Sequence, residues 1–252
     1  MNKTRLYMML VISLLIQGCA TVQGPGDPQD PFESYNRAMF KFNDKVDQYV
    51  LKPVAKGYVY VTPSPVQKGI SNFFSNLNDV TIMFNDLLQL KVKQFFSDTG
   101  RFVVNSTIGL LGFVDVATEI GLEKHNEDFG QTLGYWGVPD GPYFVLPFLG
   151  SSTIRDTGGL SVDTTYFDPI NKEVEQSFPP NSRETGTAWT LRSLQVIDTR
   201  ASLLKAEKIV NEAALDRYIF IREAYLQRRK NLVYDGKPPQ EKPEFSEDEL
   251  FK

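Results

Sequence analysis

Cysteine and histidine are almost missing from this chain, which contains one of each in 252 residues, Cys19 and His125. One residue of each type excludes the usual zinc-binding sets. The sequence also has no Gly-x-Ser-x-Gly nucleophile elbow, no EF-hand spacing and no glycine-rich phosphate loop opening a helix. His125 lies among charged residues at 123–128, which is typical of a solvated surface histidine. We therefore predict no catalytic residue, no metal site and no cofactor.

Long apolar runs are absent beyond the first 16 residues. The longest later stretch without a charged residue is 141–154, and it contains two prolines and two glycines. A transmembrane helix needs about 20 apolar residues, so we predict no membrane span. The formal net charge is −4, with no basic patch of the kind that binds nucleic acid. Nucleic acid is therefore not an expected partner.

The N-terminus has the organisation of a secreted lipoprotein. Lys3 and Arg5 precede an eleven-residue apolar run, 6–16, which ends shortly before Gly18-Cys19. This order indicates a signal peptide over 1–18, and its end resembles the bacterial lipobox, in which the cysteine receives diacylglycerol and an N-acyl chain. An ordinary signal peptide with a chance cysteine is the alternative. Ala20, rather than aspartate, follows Cys19, which favours the outer membrane, with the protein on its periplasmic face.

The mature chain is predicted to form one helical domain between two unstructured ends. Residues 19–30 are a glycine- and proline-rich tether, and 235–252 are a proline-containing acidic tail. Between them, 31–234 is mostly helical in period, so the fold class is all-α or nearly so. An apolar stripe from Phe32 to Tyr49 predicts a first helix that ends before Pro53. Two longer helices are predicted over 185–210 and 213–233. The remaining positions of the first stripe are Tyr35, Met39, Phe42 and Val46.

The segment 129–150 is rich in aromatic and aliphatic residues and contains one charge, Asp140. Pro139-Asp140-Gly141 predicts a turn, and the flanking sequences predict a hairpin over 132–150. This segment is either a buried hairpin that closes a core or an apolar loop that faces lipid. The apolar stripe of the first helix is open to the same two interpretations, core packing or a position at a membrane interface.

Nine short motifs, in order along the chain, carry a resemblance to a known family. The sequence resembles the MlaA (also called VacJ) lipoproteins of Gram-negative phospholipid transport, from the lipobox to about Val233. The matching motifs are Asp30 to Arg37, Phe40 to Asn43, Lys52 to Ala55, Phe129 to Gly134, Gly141 to Tyr143, Leu146 to Phe148, Arg155-Asp156, Thr199 to Ala201 and Arg222 to Tyr225.

The resemblance implies a ring-like domain of amphipathic helices in the periplasmic leaflet, with a central channel and one irregular or hairpin-like loop. It implies a trimeric outer-membrane porin, a periplasmic lipid carrier and phospholipids as partners. Phospholipids that have strayed into the outer leaflet would pass through the channel to the carrier, which maintains lipid asymmetry. Cys19 would be the anchor, and Arg155 and Asp156 a structural ion pair. The residues assigned to the channel or its gate are Met39, Phe42, Asn43, Gly134, Tyr135, Gly137, Gly141, Tyr143 and Phe144.

Two other functions remain open at this point. A porin-associated scaffold lipoprotein would bind lipid only through its anchor, and a charge at Tyr143 or Phe144 would then leave lipid asymmetry unchanged. A lipid channel predicts instead that such a charge disturbs lipid asymmetry without unfolding the protein. A phospholipase would require His125, the only histidine in the chain.

Overall fold

The architecture is almost entirely α-helical in a computed structural model that describes residues 30–171 and 183–239. The predicted fold class is therefore confirmed for the part of the chain described. Cys19, the signal peptide, nearly all of the tether and residues 240–252 lie outside the described residues. The helices are α1 (Glu33–Val46), α2 (Lys52–Val61), α3 (Ser64–Leu88), α4 (Val92–Thr107), α5 (Val116–Glu119), α6 (Phe129–Tyr135), α7 (Ile154–Val162), α8 (Arg183–Ser202), α9 (Leu204–Ala213) and α10 (Arg217–Val233).

The predicted end of the first helix before Pro53 is wrong. After α1, the chain widens into a π-helical turn, Asp47–Leu51, and continues directly into α2, with Pro53 in the first turn of that helix. Proline is tolerated in a first turn because the N–H that it lacks would be unpaired there in any case. The wide turn resets the hydrogen-bond ladder, so the proline does not interrupt the helical path.

The helices α3 and α4 form an antiparallel hairpin through the short turn 89–91. Helix α3 has Pro65 in its first turn, and Pro63 precedes the helix. Leu90, in the turn, has a left-handed backbone with φ of 60° and an exposed side chain. The backbone N–H of Lys91 donates to the carbonyl of Asp86 at 2.9 Å and closes the turn.

The two long C-terminal helices predicted over 185–210 and 213–233 are three helices. The first ends at Ser202, and α9 begins after Leu203. The last helix begins at Arg217 rather than at residue 213, because the Asp216 side chain accepts hydrogen bonds from the backbone N–H groups of Tyr218 and Ile219. An aspartate cap of this kind fixes where a helix starts.

The β-hairpin exists, but not at the predicted turn. Strand β1 (Tyr143–Leu146) pairs antiparallel with β2 (Gly150–Thr153), and the turn is 147–149 rather than 139–141. The first predicted arm belongs instead to α6, because Asp128 caps that helix by accepting from the N–H of Gln131. The apolar composition of the arm was compatible with either structure, and the cap decides between them.

The interior contains more polar than apolar side chains. Among the described residues, 22 polar or charged residues are buried but only nine apolar ones. In α3 and α4 the buried face carries Asn76, Asp79, Asp86, Asp98 and Arg101, whereas large apolar side chains of the same helices are exposed. This is the reverse of the usual globular arrangement, in which charged residues are almost never fully buried.

One conventional apolar cluster lies where the hairpin meets α10. Tyr143, Val145 and Tyr218 are its buried members, and Met39 and Phe40 of α1 pack against it. The ring of Tyr143 lies 6.2 Å from that of Tyr218 in an edge-to-face arrangement. The cluster fixes the hairpin between the first and last helices.

None of the described helices is both long and apolar enough to cross a membrane.

Candidate functional site

Two asparagines of α1 attach that helix to the β-hairpin. Asn36 donates to the carbonyl of Tyr143 at 3.1 Å and accepts from the N–H of Val145 at 2.9 Å. One heptad later, Asn43 donates to the carbonyl of Leu146 at 2.9 Å and accepts from the N–H of Phe148 at 2.7 Å. Each side-chain amide therefore pairs with the strand edge as a neighbouring strand would, because it offers one donor and one acceptor.

Aromatic contacts beside these bonds bring together five of the predicted channel residues. Phe42 packs edge-to-face on Phe148 at 5.2 Å, and Tyr35 stacks on Phe144 at 4.9 Å. Met39 packs against the cluster that contains Tyr143. The structure thus places Met39, Phe42, Asn43, Tyr143 and Phe144 at one junction between α1 and the hairpin.

The other predicted channel residues lie in α6 and in the loop between α6 and the hairpin. Tyr135 and Trp136 are exposed, and the indole N–H of Trp136 donates to the carbonyl of Leu88 at 2.9 Å. Gly134 lies against α10, where a β-carbon would come within 3.0 Å of both methyl groups of Val233. Close packing therefore requires a glycine at this position.

Gly137 and Gly141 have left-handed backbones, with φ of 87° and 69°. Any other residue is strained in this conformation, so both positions favour glycine. They lie on either side of Asp140, whose carboxylate forms an ion pair with Arg155. The segment between them is therefore attached to α7 by a charge interaction.

A buried charge network joins α6, α7 and α10. The predicted ion pair between Arg155 and Asp156 is confirmed, with Nη2 to Oδ1 at 2.9 Å. Asp156 also accepts from Arg229 and from the hydroxyl of Tyr225, at 2.9 and 2.7 Å. Burial would raise the pKa of Asp128, but its two hydrogen bonds from Arg229 outweigh burial and hold that pKa below its ordinary value.

A second buried network joins the end of the tether to α1 and α10. Asp30 is almost completely buried and accepts from Asn36 at 2.7 Å and from Arg222 at 3.1 Å. The hydroxyl of Tyr218 also donates to Asp30, and burial together with that carboxylate raises the pKa of the phenol. Asp30, Asn36 and Arg222 belong to the resemblance motifs, but the sequence alone indicated no role for them.

Large apolar side chains cover much of the outer surface. In the predicted stripe, Phe32, Phe42 and Tyr49 are exposed, whereas Met39 packs against the apolar cluster, so only part of the stripe contacts a core. The loop after α4 exposes Leu110 and Leu111, both at about 70% and both with positive φ. Left-handed backbone costs a non-glycine residue roughly 1–2 kcal/mol, so neither the strain nor the exposure is favoured in water. Such surfaces are typical of contact with a membrane or a partner protein.

An open cavity of about 340 Å³ lies between α2 and α9. It contains none of the predicted channel residues. Lys52 crosses from α2 to Glu207 of α9 at 2.6 Å, and burial, which would raise the pKa of Glu207, is outweighed by Lys52 and Arg200, so that this pKa falls to about 2. The lining residues are Lys52, Lys56, Leu204, Glu207, Lys208, Asn211 and Glu212.

His125 is not the solvated surface residue that the sequence indicated. Its side chain is about one quarter exposed, and its Nδ1 lies 2.8 Å from Oδ2 of the fully buried Asp98. The prediction was wrong because α4 reaches the charged segment 123–128 and buries part of it. Within residues 30–171 and 183–239, no group of histidine, cysteine, aspartate and glutamate side chains is arranged to hold a metal ion.

Comparison with known proteins identifies relatives over nearly the whole chain. The family model described as "MlaA lipoprotein" matches residues 28–232. The "Intermembrane phospholipid transport system lipoprotein MlaA" of Escherichia coli K12 is 37% identical over 249 residues, which is 96% of this chain and 94% of that protein. The protein of the same name from Haemophilus influenzae is 33% identical over 258 residues, or 98% of both chains.

A solved structure is also similar. It is described as "Structural basis for maintenance of bacterial outer membrane lipid asymmetry", is 36% identical in sequence and superposes with a TM-score of 0.66. The match covers 81% of this chain and 98% of that one. The residues matched by the family model include the hairpin, α6 and the C-terminal helices. This chain therefore belongs to the MlaA lipoprotein family.

Proposed function

We propose that this protein is an intermembrane phospholipid transport lipoprotein that removes mislocalised phospholipids from the outer leaflet of the outer membrane. It is anchored through lipidated Cys19 on the periplasmic face, and the phospholipids pass through an amphipathic channel to a periplasmic carrier. It performs no chemistry of its own. The observation that carries the proposal is the inverted distribution of residues, with polar groups buried and large apolar groups exposed.

The inversion supports a position within one leaflet of a bilayer. Exposed apolar area is unfavourable in water but not among lipid tails. Removing it from water is favourable by about 25 cal/mol for each Å². The described helices are too short or too polar to cross, so the apolar surface suits helices that lie in the leaflet. A short tether after Cys19 would keep the domain at that surface.

The polar interior supports the passage of a lipid head group. A phospholipid has a charged head and two apolar tails, and moving the head through hydrocarbon without hydrogen-bonding partners is costly. Buried Asn, Asp, Arg and Thr side chains are groups that can substitute for water around a head group, while the tails remain in the apolar surroundings. Amphipathic helices with an inward polar face provide both environments.

The junction between α1 and the hairpin is the proposed control point of the channel. It contains five of the residues assigned from the family resemblance, Met39, Phe42, Asn43, Tyr143 and Phe144. Phe144 is partly exposed and stacks on Tyr35, whereas Tyr143 is fully buried. A charge at Tyr143 would therefore disrupt the apolar cluster, and only Phe144 is suitable for testing a lipid path without unfolding the protein.

The exposed apolar surface is also suited to a trimeric porin, the partner that the family resemblance implies. A porin would give the protein access to the outer leaflet, because the anchor alone holds it in the inner one. The scaffold alternative shares this contact surface but needs no polar interior, so the buried Asp, Asn and Arg side chains of α3 and α4 favour transport.

The test is the surface phospholipid content of a deletion strain complemented with different variants. We expect deletion to raise outer-leaflet phospholipid, wild type to restore it, and Cys19→Ala to fail because the domain is no longer anchored. Phe144→Glu should also fail while the protein keeps its abundance and protease resistance, and Phe144→Leu should complement. Unchanged surface phospholipid after deletion, or full complementation by Phe144→Glu, would support the scaffold instead.

A further inference from the structure

Two carboxyl groups are buried together where α3 meets α4. Asp86, near the end of α3, and Asp98, in α4, are both completely buried. Their side chains lie within hydrogen-bonding reach of each other. Within residues 30–171 and 183–239, neither oxygen of Asp86 has a hydrogen-bond donor, and Oδ1 of Asp98 has none either. Three unpaired buried acceptors in one place are rare in folded proteins, in which nearly all buried polar atoms are paired.

The charged groups around the pair offset its negative charge only in part. Lys91 lies nearby, but its ammonium group is bound to Glu127 at 2.9 Å and to Asp235 at 2.5 Å. Glu127 adds a further negative charge. His125 can donate one hydrogen bond to Asp98 but gives none to Asp86. Two carboxylates that share a buried site cannot both be ionised cheaply, whereas a single proton supplies the missing donor and removes one charge.

We propose that Asp86 and Asp98 bind one shared proton. This proton holds the α3–α4 turn, 89–91, in the conformation that supports α6 and the residues at its two ends. This inference concerns the protein alone and does not depend on the proposed lipid transport. It assigns a binding site for a single proton and a positioning role to two residues that the sequence did not single out.

The α3–α4 turn is connected to α6 by hydrogen bonds that could transmit a movement of the turn. Gln89, which follows α3, donates to Glu127 at 2.8 Å and to Thr132 of α6 at 3.1 Å. The hydroxyl of Thr132 donates to Asn85 at 2.7 Å, one residue before Asp86. Trp136 donates to the carbonyl of Leu88 at 2.9 Å, two residues after it. Repulsion between Asp86 and Asp98 would therefore act on both ends of α6.

Burial is the largest cause that raises the pKa of Asp86, and the negative charges of Asp98 and Glu127 add to it, so that it reaches about 8. A carboxyl group whose pKa is raised by folding stabilises the protein fully below its unfolded pKa and loses that contribution as pH rises through the folded pKa. Asp86 should therefore carry its proton at pH 6 and lose it around pH 8.

Trp136 offers a direct reporter of this event. The chain has two tryptophans, so Trp189→Phe leaves Trp136 as the only one. We expect the fluorescence of the full-length lipoprotein, in nonionic detergent, to change between pH 6 and pH 9 with a midpoint near 8. In the Asp86→Asn form the amide supplies the donor permanently and cannot ionise, so the transition should disappear.

Two control variants separate this site from other carboxyl groups. Glu119→Gln removes an exposed carboxylate on α5 and should leave the transition unchanged. Glu127→Gln should keep a transition, shifted to lower pH because one repelling charge is gone. A transition that survives in Asp86→Asn but disappears in Glu127→Gln would overturn the proposal, as would a Trp136 signal that is flat from pH 6 to pH 9 in the protein with an intact pair.

Thermal unfolding gives a second measurement that does not use tryptophan. Wild type should lose stability relative to Asp86→Asn as pH rises. We therefore expect the difference between the two melting temperatures, variant minus wild type, to increase by roughly 5 °C from pH 5.5 to pH 9. Asp98→Asn should show the same trend, and it keeps the test available if Asp86→Asn does not fold. Parallel pH profiles for wild type and both variants would contradict a shared proton.

Discussion

The hairpin–α10 junction and the α3–α4 hairpin solve the same packing problem in opposite ways. At the junction, Tyr143, Val145 and Tyr218 form an apolar core with polar groups around it. In the α3–α4 hairpin, Asp79, Arg101 and their polar neighbours are inside, and large apolar side chains such as Phe84, Leu87 and Phe96 are outside. The difference indicates that the two regions have different surroundings. A helix in water buries its apolar face, whereas a helix next to lipid can expose that face and bury its polar one. Substitutions in each region can test whether the apolar core and the polar interior respond differently.

A charge in the apolar core should have the largest effect on stability. Tyr143→Asp removes a fully buried ring and leaves an unpaired carboxylate, which we expect to lower the free energy of unfolding by about 5 kcal/mol or to prevent folding. Urea unfolding or protease resistance measures it. The control, Tyr143→Phe, loses only the hydroxyl contact to Ser151 at 2.7 Å and should cost about 1 kcal/mol. A stable Tyr143→Asp protein would show that this region is not a conventional core.

Breaking the polar interior of α3–α4 should cost nearly as much. Arg101 is almost fully buried and binds Asp115 at 3.2 Å and the hydroxyl of Thr118 at 3.0 Å, with Asp79 at 4.0 Å. Arg101→Met removes the cation that these carboxylates share, although Lys124 still pairs with Asp79 and Asn105 still donates to Asp115; breaking a buried ion pair typically costs about 3–5 kcal/mol. Urea unfolding in detergent measures the loss. Lys93→Met, an exposed cation on the same helix, should be neutral; equal effects would mean that burial does not distinguish the two sites.

The link between α1 and the hairpin should show an intermediate effect. Asn43→Ala removes both hydrogen bonds to the turn, at Leu146 and Phe148, and should destabilise the protein by about 1–3 kcal/mol. Amide hydrogen exchange at Phe148 should accelerate. Asn43→Asp keeps the acceptor for the Phe148 N–H but loses the donor, so its exchange rate should lie between those of wild type and alanine. Unchanged exchange in Asn43→Ala would mean that the aromatic contacts alone hold the turn.

A charge on the outer apolar surface should have the smallest effect on stability and a clear effect on membrane association. Phe148 is 69% exposed, so Phe148→Asp should change the free energy of unfolding by about 0.5 kcal/mol or less. Flotation with phospholipid vesicles, in a Cys19→Ala background that removes the anchor, should nevertheless decrease. Phe148→Leu serves as the control and should float as the parent does. Equal flotation of both variants would contradict contact between this surface and lipid.

Much of the local structure could be predicted from the sequence. The helical period of α1 and the ion pair of Arg155 with Asp156 were both correctly predicted. The errors occurred where a single side-chain bond decides between two compatible structures. The Asp128 cap converts an expected strand into α6, and the Asp216 cap moves the start of α10. Such caps compete with apolar patterns that allow either outcome.

The candidate site was only partly foreseeable. The family resemblance assigned Asn43 and Phe42 to one place, and the structure brings them to the hairpin turn. It did not indicate that Asn36 repeats the same contact one heptad earlier, or that His125 is held by Asp98. Both contacts join residues distant in sequence, so neither a period nor a local motif reports them.

The sequence by itself predicted a lipoprotein-type leader, and it determined that the helices are amphipathic. Only the tertiary structure decided which face of each helix is inside. Periodicity shows that a helix has an apolar and a polar face, but the choice depends on the medium outside. In water the apolar face packs inward because exposed apolar surface is unfavourable there, and next to lipid this driving force is absent. The stripe from Phe32 to Tyr49 has the same sequence in either medium. The exposure of Phe32, Phe42 and Tyr49 could therefore be known only from the tertiary structure.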